Sequence, residues 1–380
     1  MHKKINPIIQ LWVGQGLPIE HIYIKSENRP KGVVNIVRVY FRKWVVHPLK
    51  RKIAKYYLMV LRRFFGLKVI GITGSCGKTT TKDMLASILK LEGPTVYSFA
   101  NIDPVYNIPT TILKCTPKTI YLVLEMGVEY PGEMDYYLWL ATPDIGVITN
   151  INPTHTLYFK SVEGVSAEKS KLVKALPKGA LAVLNKNDAH LQKLAGKLKA
   201  KTIWFDGTKE KTVLLQNPDN IASIKTVARA LKVSEDKIKK GLANFVPQDH
   251  RMKIIHHPSG AIIVDDSYNN NPKAAEFSIR ELAKLAGKNK KALVFGDMLE
   301  LGNLEVTEHR KIGDLITQIG FDRVILVGKA VRNIKGPLVT YFSFWQEAKP
   351  TFDKLVGKSH YLLVKGSRSV GLENLFHGVV

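Results

Sequence analysis

VIGITGSCGKTTTKDMLASILK, residues 69–90, decides the fold. An apolar, β-branched run (Val69 to Thr73) meets a glycine-containing turn, and a helical pattern follows from about residue 80. Strand, turn and helix in that order place backbone N–H groups at a helix N-terminus, where phosphate oxygens bind. The usual phosphate loop has a glycine five positions before its Gly-Lys pair. Here that position is Ile72, whereas Gly74, Gly77, Lys78 and Thr79 are kept. In this reading the backbone of Gly74, Ser75, Cys76, Gly77, Lys78, Thr79 and Thr80 cradles a nucleotide's phosphates. Lys78 offsets their charge, and the Thr79 hydroxyl is placed for Mg²⁺.

The flanking chain repeats the alternation. KVIGITG, TIYLVLEMG, DIGVITNI and ALAVLNK read as buried parallel strands, with helices at about 80–91 and 167–175 between some of them. GAIIVDDSY, KALVFGDM, RVILVGK and HYLLVKGS continue the pattern after a boundary near NFVPQDHRM. The fold class expected is α/β: a central doubly wound P-loop ATPase domain, 67–246, then a smaller Rossmann-like α/β domain, 247–380.

Residues 1–66 read as a separate basic segment. The 380-residue chain is 45% hydrophobic and 23% charged, ordinary for a globular protein, but carries a net charge of +25. Residues 1–70 hold 15 Lys/Arg against Glu20 and Glu27, about half of that excess. Residues 49–65 form a basic amphipathic helix pattern. Such a helix either packs on the next domain with its charges in water or docks on an anionic membrane surface. No nucleic-acid-binding motif accompanies the charge, so nucleic acid is the least supported partner. The two cysteines, Cys76 and Cys115, form no disulfide framework and fit a reducing compartment. With no signal-peptide pattern and no membrane-spanning run, a cytoplasmic chain is expected, with a peripheral place at the inner membrane surface as its finer form.

Other residues gain meaning from their positions. Glu125 ends a strand, beside the crevice where a phosphate-bridging Mg²⁺ would sit, though a strand-end glutamate is also an ordinary surface residue. His155 follows the next strand, and Lys169 lies 14 residues on within a helix. Each alone reads more simply as structural. Asp265 and Asp266 end a strand before an Asn-rich turn, and such turns also occur for backbone reasons.

Together these stretches resemble the Mur ligase family, most closely its MurF branch, over about residues 67–375. TGSCGKT fits the family's T-G-x-x-G-K-[ST] loop, which accounts for the shifted first glycine. DDSYNNNP, GDMLELG and KGSRS follow in the branch's order, whereas sister ligases show other sequences at the Asp-rich turn. The resemblance implies an ATP-dependent carboxylate–amine ligase that adds D-alanyl-D-alanine to a UDP-N-acetylmuramoyl tripeptide through an acyl phosphate. It implies ATP and Mg²⁺, with Thr79, Glu125, His155 and a carbamoylated Lys169 as metal ligands. Asn217 and Asn220 fall where the family contacts adenine, and Arg251 and Asp266 where it reaches phosphate and ribose after domain closure. Lys78, Lys169, His155 and Arg251 would carry catalysis. Tyr268, Asn271, Lys365 and Ser367 would lie nearer the amino substrate.

Two departures stand out. Residues 1–66 do not resemble, in length or pattern, the domain that holds the UDP-sugar in that branch. In SFANIDPVYNIPTTIL, Asn107 stands where a glycine is expected. Within TGSCGKT, Cys76 occupies a variable position and reads as an inert thiol. Another peptide or polyglutamate acceptor, a non-catalytic subunit at a membrane surface, and a nucleic-acid-stimulated ATPase, which would explain the charge but not the ligase constellation, are the competing readings.

Overall fold

The computed structural model describes residues 6–24, 30–99, 102–210, 215–336, 338–356 and 361–376. Parts of the basic segment (1–5 and 25–29), residues 100–101 of the Asn107 stretch and His360 of HYLLVKGS lie outside them. The chain divides into two compact units. One comprises residues 1–151, 166–210 and 219–245; the other comprises 152–165, 211–218 and 246–380.

The first unit begins with helices α1 (Pro7–Val13), α2 (Ile19–Ile22), α3 (Val33–Phe41) and α4 (His47–Phe65), the last two joined by a π-helical turn, Arg42–Val46. Pro48 has no N–H to offer the carbonyl of Trp44, four residues back. The indole N–H of Trp12 donates to that carbonyl at 2.7 Å, tying α1 to the helix at its irregular point. Trp12→Phe is therefore expected to cost about 1–3 kcal/mol, the penalty of an acceptor left without its donor. Urea unfolding followed by far-UV circular dichroism reads this. An unchanged midpoint would remove the role.

Helix α4 has a helical stripe of buried residues, Arg51, Ala54, Leu58 and Leu61. The expected basic helix thus starts two residues earlier than its sequence pattern, and one face packs on α6 (Pro104–Ile112) and α7 (Glu133–Ala141). Burying each leucine contributes about 1.5–3 kcal/mol. Arg51, buried within the stripe, donates to Val13 O at 2.8 Å and lies 5.9 and 5.4 Å from the ring centres of Tyr106 and Tyr136. His21 and Glu133 bond at 2.5 Å and fasten α2 to the start of α7.

The sheet of this unit has the order β2-β3-β1-β4-β5-β6, with all pairs parallel. Its strands are β1 (Lys68–Thr73), β2 (Thr95–Tyr97), β3 (Tyr121–Glu125), β4 (Ile145–Ile148), β5 (Leu181–Asn185) and β6 (Lys201–Phe205). One face is covered by α5 (Lys78–Leu89), α11 (Pro218–Ala230) and α12 (Glu235–Ala243), and Ile70, Ile72, Val123, Val147 and Val183 pack into that core. Across the other face lies α9 (Val162–Lys174), whose Leu172 meets Gly71. From β1 the chain runs to one edge of the sheet, and from β4 to the other, so the β1–β4 junction is a topological switch point. In open α/β sheets, ligands bind at that junction, beyond the carboxyl ends of the strands. Short α10 (Ala189–Ala195) completes the helices of this unit, and α8 (Thr156–Phe159) belongs to the second.

The second unit carries a sheet of order β11-β10-β9-β12-β8-β7, parallel except for β7 against β8. Its strands are β7 (Lys253–His256), β8 (Ile262–Asp266), β9 (Lys291–Gly296), β10 (Arg323–Val327), β11 (Val339–Phe342) and β12 (Tyr361–Lys365). A core on one face includes α13 (Pro272–Ala286) and α14 (Glu305–Ile319), and a core on the other includes α15 (Trp345–Val356). Both units are therefore α/β, as the alternation predicts. The short strands β2, β6, β7 and β11 are additions to the sequence reading.

Candidate active site

The loop after β1 is held by its neighbour in the sheet. Register aligns Ile72 with Glu125 and Thr73 with Ile148, so three strand ends finish together. Ser75 N–H donates to Asn150 O at 2.9 Å and Cys76 N–H to Asn150 Oδ1 at 3.0 Å. The Thr149 hydroxyl donates to Cys76 O at 2.6 Å. These bonds fix the path of Gly74–Cys76 and leave the turn into α5 to begin at Gly77. Sequence reasoning missed Thr149 and Asn150, because nothing in the spacing says that β4 lies next to β1.

Glycine is required at two loop positions for different reasons. Gly74 has φ +148°, and a Cβ there would lie 1.9 Å from Thr149 Oγ1. Gly77 has φ +80°, and a Cβ would lie 2.2 Å from Asn220 Oδ1. Asn220, on the first turn of α11, is buried, and its amide oxygen has no hydrogen-bond partner. An orphaned acceptor against a phosphate-type loop suits a site whose ligand brings a donor. Gly77→Ala would add about 1–3 kcal/mol of strain to the loop. Its expected result is ATP affinity weakened by about tenfold or more, read by titration calorimetry. Wild-type affinity would contradict the tight-turn account.

Around the loop lie the charged candidates. Lys78 Nζ donates to Gly74 O at 3.0 Å, which curls the side chain back over the turn. The Thr79 hydroxyl donates to Glu125 Oε1 at 3.0 Å. Glu125 is in turn positioned by its own N–H, which donates to the buried Ser98 hydroxyl at 3.1 Å. Ser98 was not legible as a support. Two hard oxygen donors at this spacing suit Mg²⁺, which is bound by one or two protein oxygens together with substrate phosphates. Among the described residues no cluster of three or more His, Cys, Asp and Glu gathers as a self-sufficient metal site. Mg²⁺ would therefore need the substrate's oxygens here.

Lys169, on α9, is 0% exposed, and its Nζ has no hydrogen-bond partner. Burial, reinforced by the positive charge of Lys78, holds its pKa well below the usual lysine range. An ammonium in such a place is unstable, so the amine is driven toward its neutral, nucleophilic form.

The second unit arranges the remaining candidates. His155 has φ +52° and caps α8, and its Nδ1 is paired with the Glu300 carboxylate. A carboxylate on one ring nitrogen leaves the other oriented, the usual arrangement for a metal-binding histidine. Glu300 lies within GDMLELG, a stretch singled out without its partner being evident. Asp266 accepts from Lys365 Nζ at 2.6 Å and from the Ser278 hydroxyl at 2.6 Å. Lys365 is buried and also donates to Asn269 O. Asp265 accepts from the Ser267 hydroxyl at 2.7 Å and lies 2.7 Å from His250 Nδ1. The guanidinium of Arg251 lies 4.2 Å from the centre of the Tyr268 ring, with Arg368 at 5.7 Å on the same ring. Asn271 and Ser367 hold backbone in place. Asn271 Oδ1 caps α13 at Ala274 N, while Ser367 accepts from Leu299 N–H and donates to Asp297 O. Asn217 directly precedes α11.

Asn107, where a glycine is expected, is buried on α6. Its amide donates to Phe99 O at 2.7 Å and accepts from the Thr111 hydroxyl at 2.9 Å, so the larger residue fastens the preceding loop.

Comparison with known proteins places this geometry in context. The family model "Mur ligase middle domain" matches residues 72–240, and "Mur ligase, glutamate ligase domain" matches residues 250–368. A UDP-N-acetylmuramoyl-tripeptide--D-alanyl-D-alanine ligase of Bacillus subtilis is 29% identical over 364 residues, covering 87% of this chain and 79% of its own. The enzyme of that name from Buchnera aphidicola subsp. Baizongia pistaciae is 30% identical over 340 residues, covering 80% and 74%. The crystal structure of MurF ligase from Thermotoga maritima in complex with ADP superposes with a TM-score of 0.77 at 26% identity, covering 87% of this chain and 82% of that one.

Proposed function

The chain belongs to the Mur ligase family, and on that premise we propose that it joins D-alanyl-D-alanine to the terminal carboxylate of a UDP-N-acetylmuramoyl tripeptide, driven by ATP. The observation that carries this reading is the braced loop of residues 74–79 with the Thr79–Glu125 oxygen pair at its mouth and the buried Lys169 amine beside Lys78 in charge.

The chemistry follows from charge. A carboxylate is a poor electrophile at neutral pH. Transfer of the γ-phosphoryl group of ATP to one of its oxygens gives an acyl phosphate and ADP. The substrate amine attacks the acyl carbon, a tetrahedral intermediate forms, and phosphate leaves with the former carboxylate oxygen. Negative charge collects on phosphate oxygens at each stage, and preorganised positive groups are the largest source of rate. The loop amides and Lys78 supply them. Thr79 and Glu125 would hold Mg²⁺, which when bound offsets phosphate charge as a Lewis acid. Lys169 is the candidate for carbamoylation: its neutral amine attacks the carbon of CO₂, an N–C bond forms, a proton leaves, and a carboxylate-like anion results. That anion is a candidate ligand for a second cation, and His155 is a separate candidate metal ligand. Arg251 and Asp266 are assigned to phosphate and ribose, Asn217 and Asn220 to adenine, and Tyr268, Asn271, Lys365 and Ser367 to the amino substrate's side. The proposed domains are 1–66, 67–246 and 247–380. The proposed place of work is cytoplasmic and peripheral to an anionic membrane surface through residues 1–66.

Phosphate release from ATP, measured with the tripeptide acceptor in the presence and absence of D-alanyl-D-alanine, tests the reaction, with the amide product identified by mass. Release and product only when both are present is the expected result. Bound ATP without product would leave the ligase chemistry and remove the acceptor.

A further inference from the structure

Residues 30–66 contain ten lysines and arginines and no aspartate or glutamate. They also hold an exposed apolar surface. No residue of α3 is buried: Val33, Val34, Ile36, Val37, Tyr40 and Phe41 are all exposed, Val34 to 80%. Helix α4 adds further exposed apolar residues. Opposite its buried face, Leu49, Ile53, Tyr56, Val60 and Phe64 form a second apolar stripe, Phe64 exposed to 74%. At roughly 100° per residue the two stripes lie about 140° apart around the helix. One face of α4 therefore fixes the helix to the first unit while another is presented outward. Lys31, Arg38, Arg42 and Arg63 are exposed with it.

Each half of this pattern excludes one kind of occupant. A second copy of the chain would cover the valines and phenylalanines, but it would bring ten more positive charges and no acids from the same segment, which repel at contact. Nucleic acid would answer the charge, but phosphate backbones are bound by cations and hydrogen-bond donors, not by a stripe of Val, Ile and Phe. An anionic bilayer answers both: apolar side chains enter the boundary between headgroups and acyl chains while lysines and arginines meet lipid phosphates. No described helix is long and apolar enough to cross a membrane. We propose that α3, the π-helical turn and the outer stripe of α4 form a rigid foot that seats this chain on an anionic membrane. In this proposal the turn joins the two apolar stretches, and the Trp12 bond to Trp44 holds that turn against α1.

The test is flotation of the full chain with vesicles of phosphatidylcholine alone and of phosphatidylcholine with phosphatidylglycerol. Binding to the anionic vesicles, weakened by salt, and at least about tenfold weaker binding to neutral ones, is expected. Val37→Asp with Phe41→Asp, and separately Ile53→Asp with Phe64→Asp, should each reduce binding by about tenfold or more. Arg38→Glu with Arg63→Glu should reduce it on anionic vesicles alone. All six positions are exposed, so near-UV circular dichroism and ATP turnover in free solution should match the parent chain. Three results would overturn the proposal: no flotation with anionic vesicles; a concentration-dependent dimer that the aspartate substitutions dissolve; or duplex DNA binding that those substitutions leave unchanged. Vesicle binding needs no catalysis, so its failure and a failure of the ligase reading are separate outcomes.

Discussion

Lys78→Ala is expected to lower turnover about a hundred- to a thousandfold with the fold intact, the cost of removing one preorganised stabiliser of transferring charge. The side chain contributes little to packing. It is part-exposed, and its bond to the Gly74 carbonyl is one that water can replace. Thermal unfolding should therefore move little. The loss should fall on the rate at saturating ATP as well as on ATP affinity, because phosphate charge grows as the transition state is approached. Single-turnover phosphate release separates the two. A rate near that of the parent chain would remove Lys78 from the chemistry.

Lys169 gives the second large effect, and its test must separate lost chemistry from a lost core residue. Its side chain is fully buried, so alanine leaves a cavity. Lys169→Met keeps most of the volume without the amine. Both substitutions should reduce turnover by about a hundredfold or more. The methionine variant should also unfold near the parent temperature. In the parent chain, labelled bicarbonate should give a carbamate carbon signal by NMR that is absent from Lys169→Met. Removing dissolved CO₂ should lower activity reversibly. A methionine variant with parental turnover would leave Lys169 a structural lysine and the second cation site unsupported.

What the sequence disclosed, and what it withheld, divides along a physical line. Apolar runs bounded by turn residues are local signals, so the long central strands and the helix after Gly77 are legible residue by residue. The loop's resemblance to TGxxGK[ST] is local as well. The supports of the loop are not: Thr149 and Asn150 lie more than seventy residues away and meet it through sheet order. Glu300 for His155 and Ser98 for Glu125 were hidden for the same reason. Short edge strands such as Thr95–Tyr97 carry too few residues to show a period. Residues 49–65 showed their amphipathicity, but not that the helix has two apolar faces. A buried stripe and an exposed one at opposite sides of one helix sum to a pattern that looks apolar nearly all round.

The central claim is that ATP is used to make an acyl phosphate on the acceptor carboxylate. Labelling both oxygens of that carboxylate with ¹⁸O and analysing the released phosphate by mass tests it most directly. One labelled oxygen in each phosphate, formed only when D-alanyl-D-alanine is present and accompanied by the amide product, is the result predicted. Unlabelled phosphate would mean that water, not the carboxylate, receives the phosphoryl group, and would contradict the account.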